Sequence, residues 1–321
     1  MPKPIATAIV SICNHAAFVE DALSSILAQS IPLQIVIADD ASDDDSFQRV
    51  QARLANYQGK HQLQVMRNPQ RLGVGGNANR LMSAAEHELM IGFQGDDIAL
   101  PHKAEALVAA FEREGPELMF AFGAQQLLHN PTPAGVMRVP WAGTSLVLAE
   151  LTQLPPVMGA AMARRRELFT AFGPLRAEVR AVDWLMMLRG LLRGKIYALS
   201  DVLVLYRRHA GGVSSAVTAT QPREFHRIHS LRLACLAEQI AADVATAIAR
   251  RWQSASSAHL ILEQAAHLNC IREFHQGLAH SLWRGLLPSA RILAQPQLWQ
   301  HLDQALRCRV RYWRGLYRGS R

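Results

Sequence analysis

An open α/β sheet with helices on its faces is the fold this chain predicts, and three observations carry that prediction. Short apolar runs of the kind that form buried strands alternate with segments of helical periodicity from Ile5 onward. Two of those runs, Ile35-Val36-Ile37-Ala38 and Leu89 to Phe93, empty directly into acid: Asp39-Asp40-Ala41-Ser42-Asp43-Asp44-Asp45 and Gln94-Gly95-Asp96-Asp97. Half of the 321 residues are hydrophobic, enough for a sizeable core. Carboxylates at strand ends stand where an open sheet binds its ligand, in the crevice outside the carboxyl ends of the strands.

The elements follow in order. Ile5 to Ile12 reads as a buried strand ending at Cys13-Asn14-His15, after which Phe18, Leu23, Ile26 and Leu27 recur at helical spacing. Ile35 to Ala38 is the second strand, Phe47 to Ala55 the second helix and Leu63 to Met66 the third strand. That βαβαβ order implies a parallel sheet with right-handed crossovers. Asn68 to Gly76 reads as a glycine-rich loop, Asn77 to Glu86 as a helix, and Leu89 to Phe93 as the strand that delivers Asp96 and Asp97. Pro101 opens a helix at a position that tolerates proline, and Gly115-Pro116 ends it. Leu118 to Phe122 is a further strand. Pro131, Pro133, Pro140, Pro155 and Pro156 then mark irregular loops up to a helix near Arg164 to Phe169. Asp183 to Leu192 reads as a helix, Ile196 to Leu205 as a strand and His209-Ala210-Gly211-Gly212 as a turn. From about Gln221 the pattern is almost wholly helical, so residues 1–220 form the expected α/β domain and 221–321 a helical extension.

Charge and cysteine usage narrow the setting. The formal charge is +8, and the last stretch holds Arg307, Arg309, Arg311, Arg314, Arg318 and Arg321 with no acid among them. With Trp299, Leu302, Leu306, Val310, Trp313 and Leu316 between them, the arginines of Gln297 to Arg321 suit an anionic bilayer surface, or else a docked helix whose arginines face water. Cys13, Cys235, Cys270 and Cys308 lie far apart without CxxC pairing, which argues against a disulfide framework or zinc site and fits a reducing cytoplasm. No apolar run is long enough to span a bilayer, and the first residues carry no apolar signal core. The expectation is a cytoplasmic protein, soluble or peripheral on the cytoplasmic membrane face, with no nucleic-acid partner.

Magnesium or manganese needs only one or two protein carboxylates, the other positions going to water and substrate phosphate, and Asp96 and Asp97 meet that demand. The plainer reading is that paired acids ahead of a helix favour its dipole and cap the loop. The Asp39 to Asp45 run has the same alternative, a solvated turn with an N-cap for the helix starting near Ser46.

The order of these motifs resembles the family 2 glycosyltransferases. The matching stretches are Val10-Ser11-Ile12-Cys13-Asn14, Ala22 to Gln29, Asp39-Asp40-Ala41-Ser42-Asp43-Asp44, Asn68 to Asn79, and Gln94-Gly95-Asp96-Asp97 with Pro101. Together they cover roughly residues 5 to 215, a sensible span for one α/β domain. The resemblance implies the GT-A fold, a Rossmann-like mixed sheet flanked by helices, followed here by the helical extension. It implies inverting transfer of a sugar from a nucleoside diphosphate donor, with a UDP-sugar expected, to a hydroxyl on a glycan or lipid-linked acceptor in polysaccharide or glycoconjugate synthesis.

Residue by residue, the resemblance puts Asp39 and Asp40 against the nucleotide base, with Arg71 flanking it and Ser11 and Asn14 lining the same pocket. Asp96 would contact the ribose, and Asp97 would ligate the divalent Mg or Mn that bridges the diphosphate. Gln94 stands where the commoner Asp-x-Asp-Asp form has its first acid. Asp183 matches the catalytic base, with Val182 in place of a frequent glutamate; alternatively it is a first-turn acid serving its own helix. Arg207, Arg208 and His209, followed by Gly211-Gly212-Val213-Ser214-Ser215, resemble the segment that closes over the donor diphosphate, where cations and loop amides suit the task. The bland reading of these three is basic residues in an exposed loop.

A competing signal is Gly73-Val74-Gly75-Gly76-Asn77-Ala78, which satisfies the GxGxxA of a dinucleotide site. A nicotinamide-dependent oxidoreductase needs a tight turn straight after the strand, whereas Asn68-Pro69-Gln70-Arg71 intervenes here. An inactive nucleotide-binding homologue is the other alternative, separable by a transfer or hydrolysis assay.

Overall fold

A computed structural model of the chain describes residues 3–129, 132–155, 159–209, 222–254, 256–266 and 268. The chain separates into two compact units, Met1–Arg208 and His209–Arg321. In the first unit the elements run β1 (Thr7–Ile12), α1 (Val19–Leu27), β2 (Gln34–Asp39), α2 (Ser46–Leu54), β3 (Gln62–Arg67), α3 (Gly73–Ala84) and β4 (Leu89–Gln94). They continue with β5 (Ile98–Ala99), α4 (Lys103–Glu114), β6 (Leu118–His129), β7 (Thr132–Met137), β8 (Thr144–Val147) and, after a 3-10 turn at Gly159–Ala161, β9 (Met162–Arg165). The unit closes with α5 (Glu167–Thr170), α6 (Val182–Arg193) and β10 (Lys195–Arg207).

The strands form one mixed sheet in the order β3-β2-β1-β4-β9-β6-β10-β5. β3, β2, β1 and β4 are parallel neighbours. β1, β2 and β4 are apolar along their length because both faces are covered by helices, and Ala8, Val10, Ile12, Ile35, Ile37 and Ile91 are at most 1% exposed. Each such aliphatic side chain contributes roughly 1.5–3 kcal/mol by leaving water. β3, at the edge, leaves Gln62, Gln64, Val65 and Arg67 exposed and only Leu63 and Met66 partly buried. β9 then runs antiparallel between β4 and β6, which makes the sheet mixed, and β10 pairs parallel with β6 and antiparallel with β5 and β8.

Three sequence expectations are corrected. α3 starts at Gly73 instead of Asn77, because its glycines serve packing: a Cβ on Gly75 would stand 2.4 Å from the Arg176 carbonyl oxygen and 2.9 Å from that of Val179. β6 runs on to His129, its register held by β10 through the polar Gln125 and Gln126. The stretch from Arg164 to Phe169 is the end of a central strand followed by the short α5, not one helix, and the proline-marked region before it contains β7 and β8.

In the second unit α7 (Pro222–Ala249) is the long element, with Ala237, Ile240, Val244 and Ala247 buried at helical spacing. The Gly211 to Ser215 loop and the arginine-rich Gln297 to Arg321 lie outside the described residues.

Candidate functional site

Parallel pairing brings the acid-bearing strand ends to one level. Ile12 is in register with Asp39 and Ser11 with Gln94, so the loops that leave β1, β2 and β4 share one crevice. Ser11, Asn14, Asp39, Asp40 and Asp96 all stand on these ends, and Arg71 reaches them from the loop before α3.

Asp39 and Asp40 are both buried, and their carboxylates are taken by backbone. Asp39 accepts the Ser42 N–H with both oxygens, at 3.0 and 3.1 Å, closing a turn in which Ala41 takes a positive φ of 51°. Asp40 accepts the Leu72 N–H at 2.7 Å and the Asn68 amide at 2.8 Å with Oδ1, and the Gly73 N–H at 2.9 Å with Oδ2. It thereby satisfies orphan donors at the start of α3 from another strand, as an N-cap would. Asn77, which sequence reasoning left as an ordinary helical residue, donates to Ser11 Oγ at 3.0 Å and to the Ala38 carbonyl at 3.2 Å.

Asn14, with φ of 57°, accepts the Asp43 N–H at 2.8 Å and gives its own N–H to Ser42 Oγ at 2.9 Å. The Arg71 guanidinium pairs with Asp43 at 2.7 Å and also reaches the Ala41 carbonyl and Asn14 Oδ1. This wall of the crevice is open to solvent, and Arg71 is a cation on it, with Arg67 donating to the Ser42 carbonyl of the same loop.

The two acids after β4 point to different places. Asp96 lies beside His15, with Nε2 and Oδ2 3.7 Å apart and side-chain exposures of 12% and 17%. Asp97 turns inward: Oδ1 accepts the Arg207 N–H at 2.9 Å, and Oδ2 is buried with no hydrogen-bond partner among the described residues. Burial, and then the neighbouring Asp96 charge, hold the Asp97 carboxyl well above the ordinary carboxylate range, while Lys103 and Arg207 oppose the shift. Asp97 offers one uncommitted buried oxygen close enough to Lys103 and Arg207 to feel their charges, whereas Asp96 is the more exposed of the two acids. A site supplied by one accessible carboxylate, with water and phosphate completing the shell, fits magnesium or manganese at Asp96. Among the described residues no cluster of three metal-ligating side chains exists.

Arg207 is almost wholly buried. Its guanidinium lies 4.7 Å over the Phe18 ring and donates to Asp21 at 3.1 Å, so its charge is held against the start of α1. His209 is partly buried and is the first residue of the second unit.

Asp183 sits in the first turn of α6, where the N–H groups of Trp184 and Gly159 donate to its carboxylate. Burial raises its pKa, and those amides together with the Arg164 charge pull the other way. Arg164 is itself buried in the central strand β9, and desolvation lowers its pKa to about 10. Sequence reasoning missed Arg164, Lys103 and Gly159 because their partners are set by the fold, and Arg164, the first of the basic run Arg164-Arg165-Arg166, carries no sequence signal that separates it from its exposed-looking neighbours.

Comparisons with known proteins place this geometry. The sequence pattern described as Glycosyl transferase family 2 matches residues 7–171. An uncharacterised glycosyltransferase of Nostoc sp. is 28% identical over 230 residues, 67% of this chain and 69% of that protein. An uncharacterised protein of Mycobacterium bovis is 27% identical over 211 residues, 64% of this chain, and the match spans 59% of that protein's length. Among solved structures, S. aureus TarS 1-349 in complex with UDP-GlcNAc superposes with a TM-score of 0.54 at 16% identity, covering 87% of this chain and 92% of that one. The mannosyltransferase PcManGT from Pyrobaculum calidifontis, in complex with GDP-Man and Mn2+, gives a TM-score of 0.55 at 18% identity, covering 98% and 84%. At these identities the structural likeness is one of fold, the GT-A sheet flanked by helices.

Proposed function

The chain belongs to glycosyl transferase family 2, and from that premise we propose that it transfers a sugar from a nucleoside diphosphate donor to an acceptor hydroxyl with inversion at the anomeric carbon. The observation that carries the reading is the register of β1, β2 and β4, which pairs Ile12 with Asp39 and Ser11 with Gln94 at the strand ends, with an enclosed carboxylate, Asp183, in the first turn of α6. A UDP-sugar is the first donor to test, and GDP-mannose the second.

On this reading the base and ribose lie along Ser11, Asn14, Asp39, Asp40 and Arg71. Asp39 and Asp40 shape that pocket chiefly by fixing the turns around it, and Arg71 supplies the open cationic edge. Asp96 and Asp97 are the two acids that would hold a divalent cation, and we assign it to Asp96, the more exposed of them, where motif position points to Asp97. The cation would neutralise charge gathering on the diphosphate. Arg207, held against Asp21 and Phe18, acts on this region through its main-chain N–H to Asp97.

Asp183 takes the acceptor proton. As the acceptor oxygen forms its bond to the anomeric carbon, the bond from that carbon to the diphosphate oxygen breaks, the diphosphate leaves with the electron pair, and the proton passes to the carboxylate. Burial makes Asp183 a stronger base than a solvated aspartate, which suits the role.

The glycine run does not support a nicotinamide reading, because the Arg176 and Val179 carbonyls occupy the close approach to Gly75 that a pyrophosphate would need. Among the described residues no helix is long and apolar enough to cross a membrane. A lipid-linked or polysaccharide acceptor remains part of the proposal. A thermal-shift panel of UDP, GDP, UDP-GlcNAc, UDP-glucose, GDP-mannose and NAD, with and without Mn2+, tests the donor class, since ligands of the native state raise stability by mass action. Stabilisation by a sugar nucleotide or its diphosphate, and none by NAD, is the expected result; stabilisation by NAD alone would overturn the reading.

A further inference from the structure

Lys103, the first residue of α4, is 1% exposed, and its ammonium lies wholly inside the sheet unit. Nζ donates to the Gly92 carbonyl of β4 at 2.6 Å and to the Ala160 carbonyl at 2.7 Å, and stands 3.8 Å from the centre of the Phe93 ring. Burying a charge costs several kcal/mol unless partners compensate, and an apolar chain of equal length would fill this space without that cost. The Asp97 carboxylate offsets part of that cost, and the two carbonyl bonds give the ammonium a direction, because they tie one strand to one turn.

Both ends of that tie lead to the reaction site proposed above. Gly92 lies on the strand that ends in Gln94 and leads to Asp96. Ala160 belongs to the turn whose preceding residue, Gly159, donates its N–H to the Asp183 carboxylate. Gly159 is packed so tightly there that a Cβ on it would stand 2.7 Å from Asp183 Oδ2 and 3.1 Å from Asp183 Cγ. The carbonyl gripped by Lys103 and the amide gripped by Asp183 therefore belong to neighbouring residues of one short turn.

We propose that Lys103 is a positioning residue for Asp183: by stapling the Gly159–Ala161 turn to β4 it sets the base's carboxylate relative to the strand that carries the donor-site acid. The inference rests on the functional reading above. The Lys103 contacts are to Gly92, Ala160 and Phe93, so its effect on Asp183 passes through the turn. A carboxylate displaced by about 1 Å loses on the order of a hundredfold in rate, whereas donor binding at the ends of β1 and β2 does not depend on the turn.

The test is a double-mutant cycle on donor hydrolysis, with whichever of UDP-GlcNAc, UDP-glucose and GDP-mannose the wild-type chain turns over in Mn2+, reading the released nucleotide. Lys103→Met should lower kcat by roughly ten- to a hundredfold with donor KM within about threefold. In an Asp183→Asn background the same substitution should change kcat by less than about twofold, because the carboxylate it positions is already gone. Gly159→Ala, which leaves Lys103 in place and pushes on Asp183 directly, should reproduce the kcat loss and guards against a Lys103 variant that folds poorly. Equal losses from Lys103→Met in both backgrounds, or a rise in donor KM with kcat unchanged, would make Lys103 a structural residue and overturn the proposal. If Asp183→Asn itself leaves kcat intact, the base assignment fails, and the Lys103 role with it. If the wild-type chain turns over none of these donors, the functional reading fails first.

Discussion

The Asp40 carboxylate holds the first amides of α3, accepting the Leu72 N–H at 2.7 Å and the Gly73 N–H at 2.9 Å across 32 and 33 residues of sequence. An acid expected to read a nucleotide base is thus also the cap that seats a helix beside the crevice. Replacing it removes three accepted hydrogen bonds, counting that from Asn68, and takes the acceptor from the part-buried Leu72 and Gly73 N–H groups. Asp40→Ala should therefore lower stability by roughly 2–4 kcal/mol, and Asp40→Asn by less, since one oxygen is kept. Urea unfolding checks this: a lower midpoint at unchanged slope is expected, and an unchanged midpoint would confine Asp40 to ligand binding.

The two acids after β4 should separate in calorimetry. Asp96→Ala should weaken Mn2+-dependent binding of UDP by about tenfold or more, while Asp97→Asn, which can still accept the Arg207 N–H, should leave it within about threefold. The reverse pattern would return the cation to Asp97.

Glu114 offers a pH test of the fold away from the crevice. Hydrogen bonds from Ser145 and Lys195 hold its carboxyl down at about 2, below the ordinary 4.5. A depressed carboxyl adds stability that is fully present above its unfolded pKa and fades as pH falls from about 4.5 toward about 2. Glu114→Gln should melt below the wild type at pH 7, with the gap narrowing as pH drops to 3. A gap independent of pH would contradict the charged-state assignment.

How far the sequence foretold this arrangement depended on where each residue finds its partner. Ile35 to Ala38 and Leu89 to Phe93 were legible because a strand covered on both faces is apolar throughout, and the acids after them mark the crevice whatever the packing. Gly73 to Gly76 was misjudged because glycine propensity favours a loop, while the reason for these glycines is the approach of the Arg176 and Val179 carbonyls, a hundred or so residues away. Asp96 and Asp97 look equivalent in sequence; only the pairing of β10, which brings the Arg207 N–H to Asp97, turns one inward. Lys103 carried no local signal at all, since its two acceptors are main-chain carbonyls on β4 and in the turn before β9.

The central claim is that Asp183 is the base of a sugar transfer from a nucleoside diphosphate donor, and steady-state kinetics of Asp183→Asn against wild type measure it most directly. The account predicts a kcat about two to four orders of magnitude lower, with donor affinity nearly unchanged. It further predicts that the wild-type rate rises with pH through an Asp183 pKa lifted by burial above the ordinary aspartate value, and that the variant loses this limb. Wild-type turnover in Asp183→Asn, with the same pH profile, would contradict it.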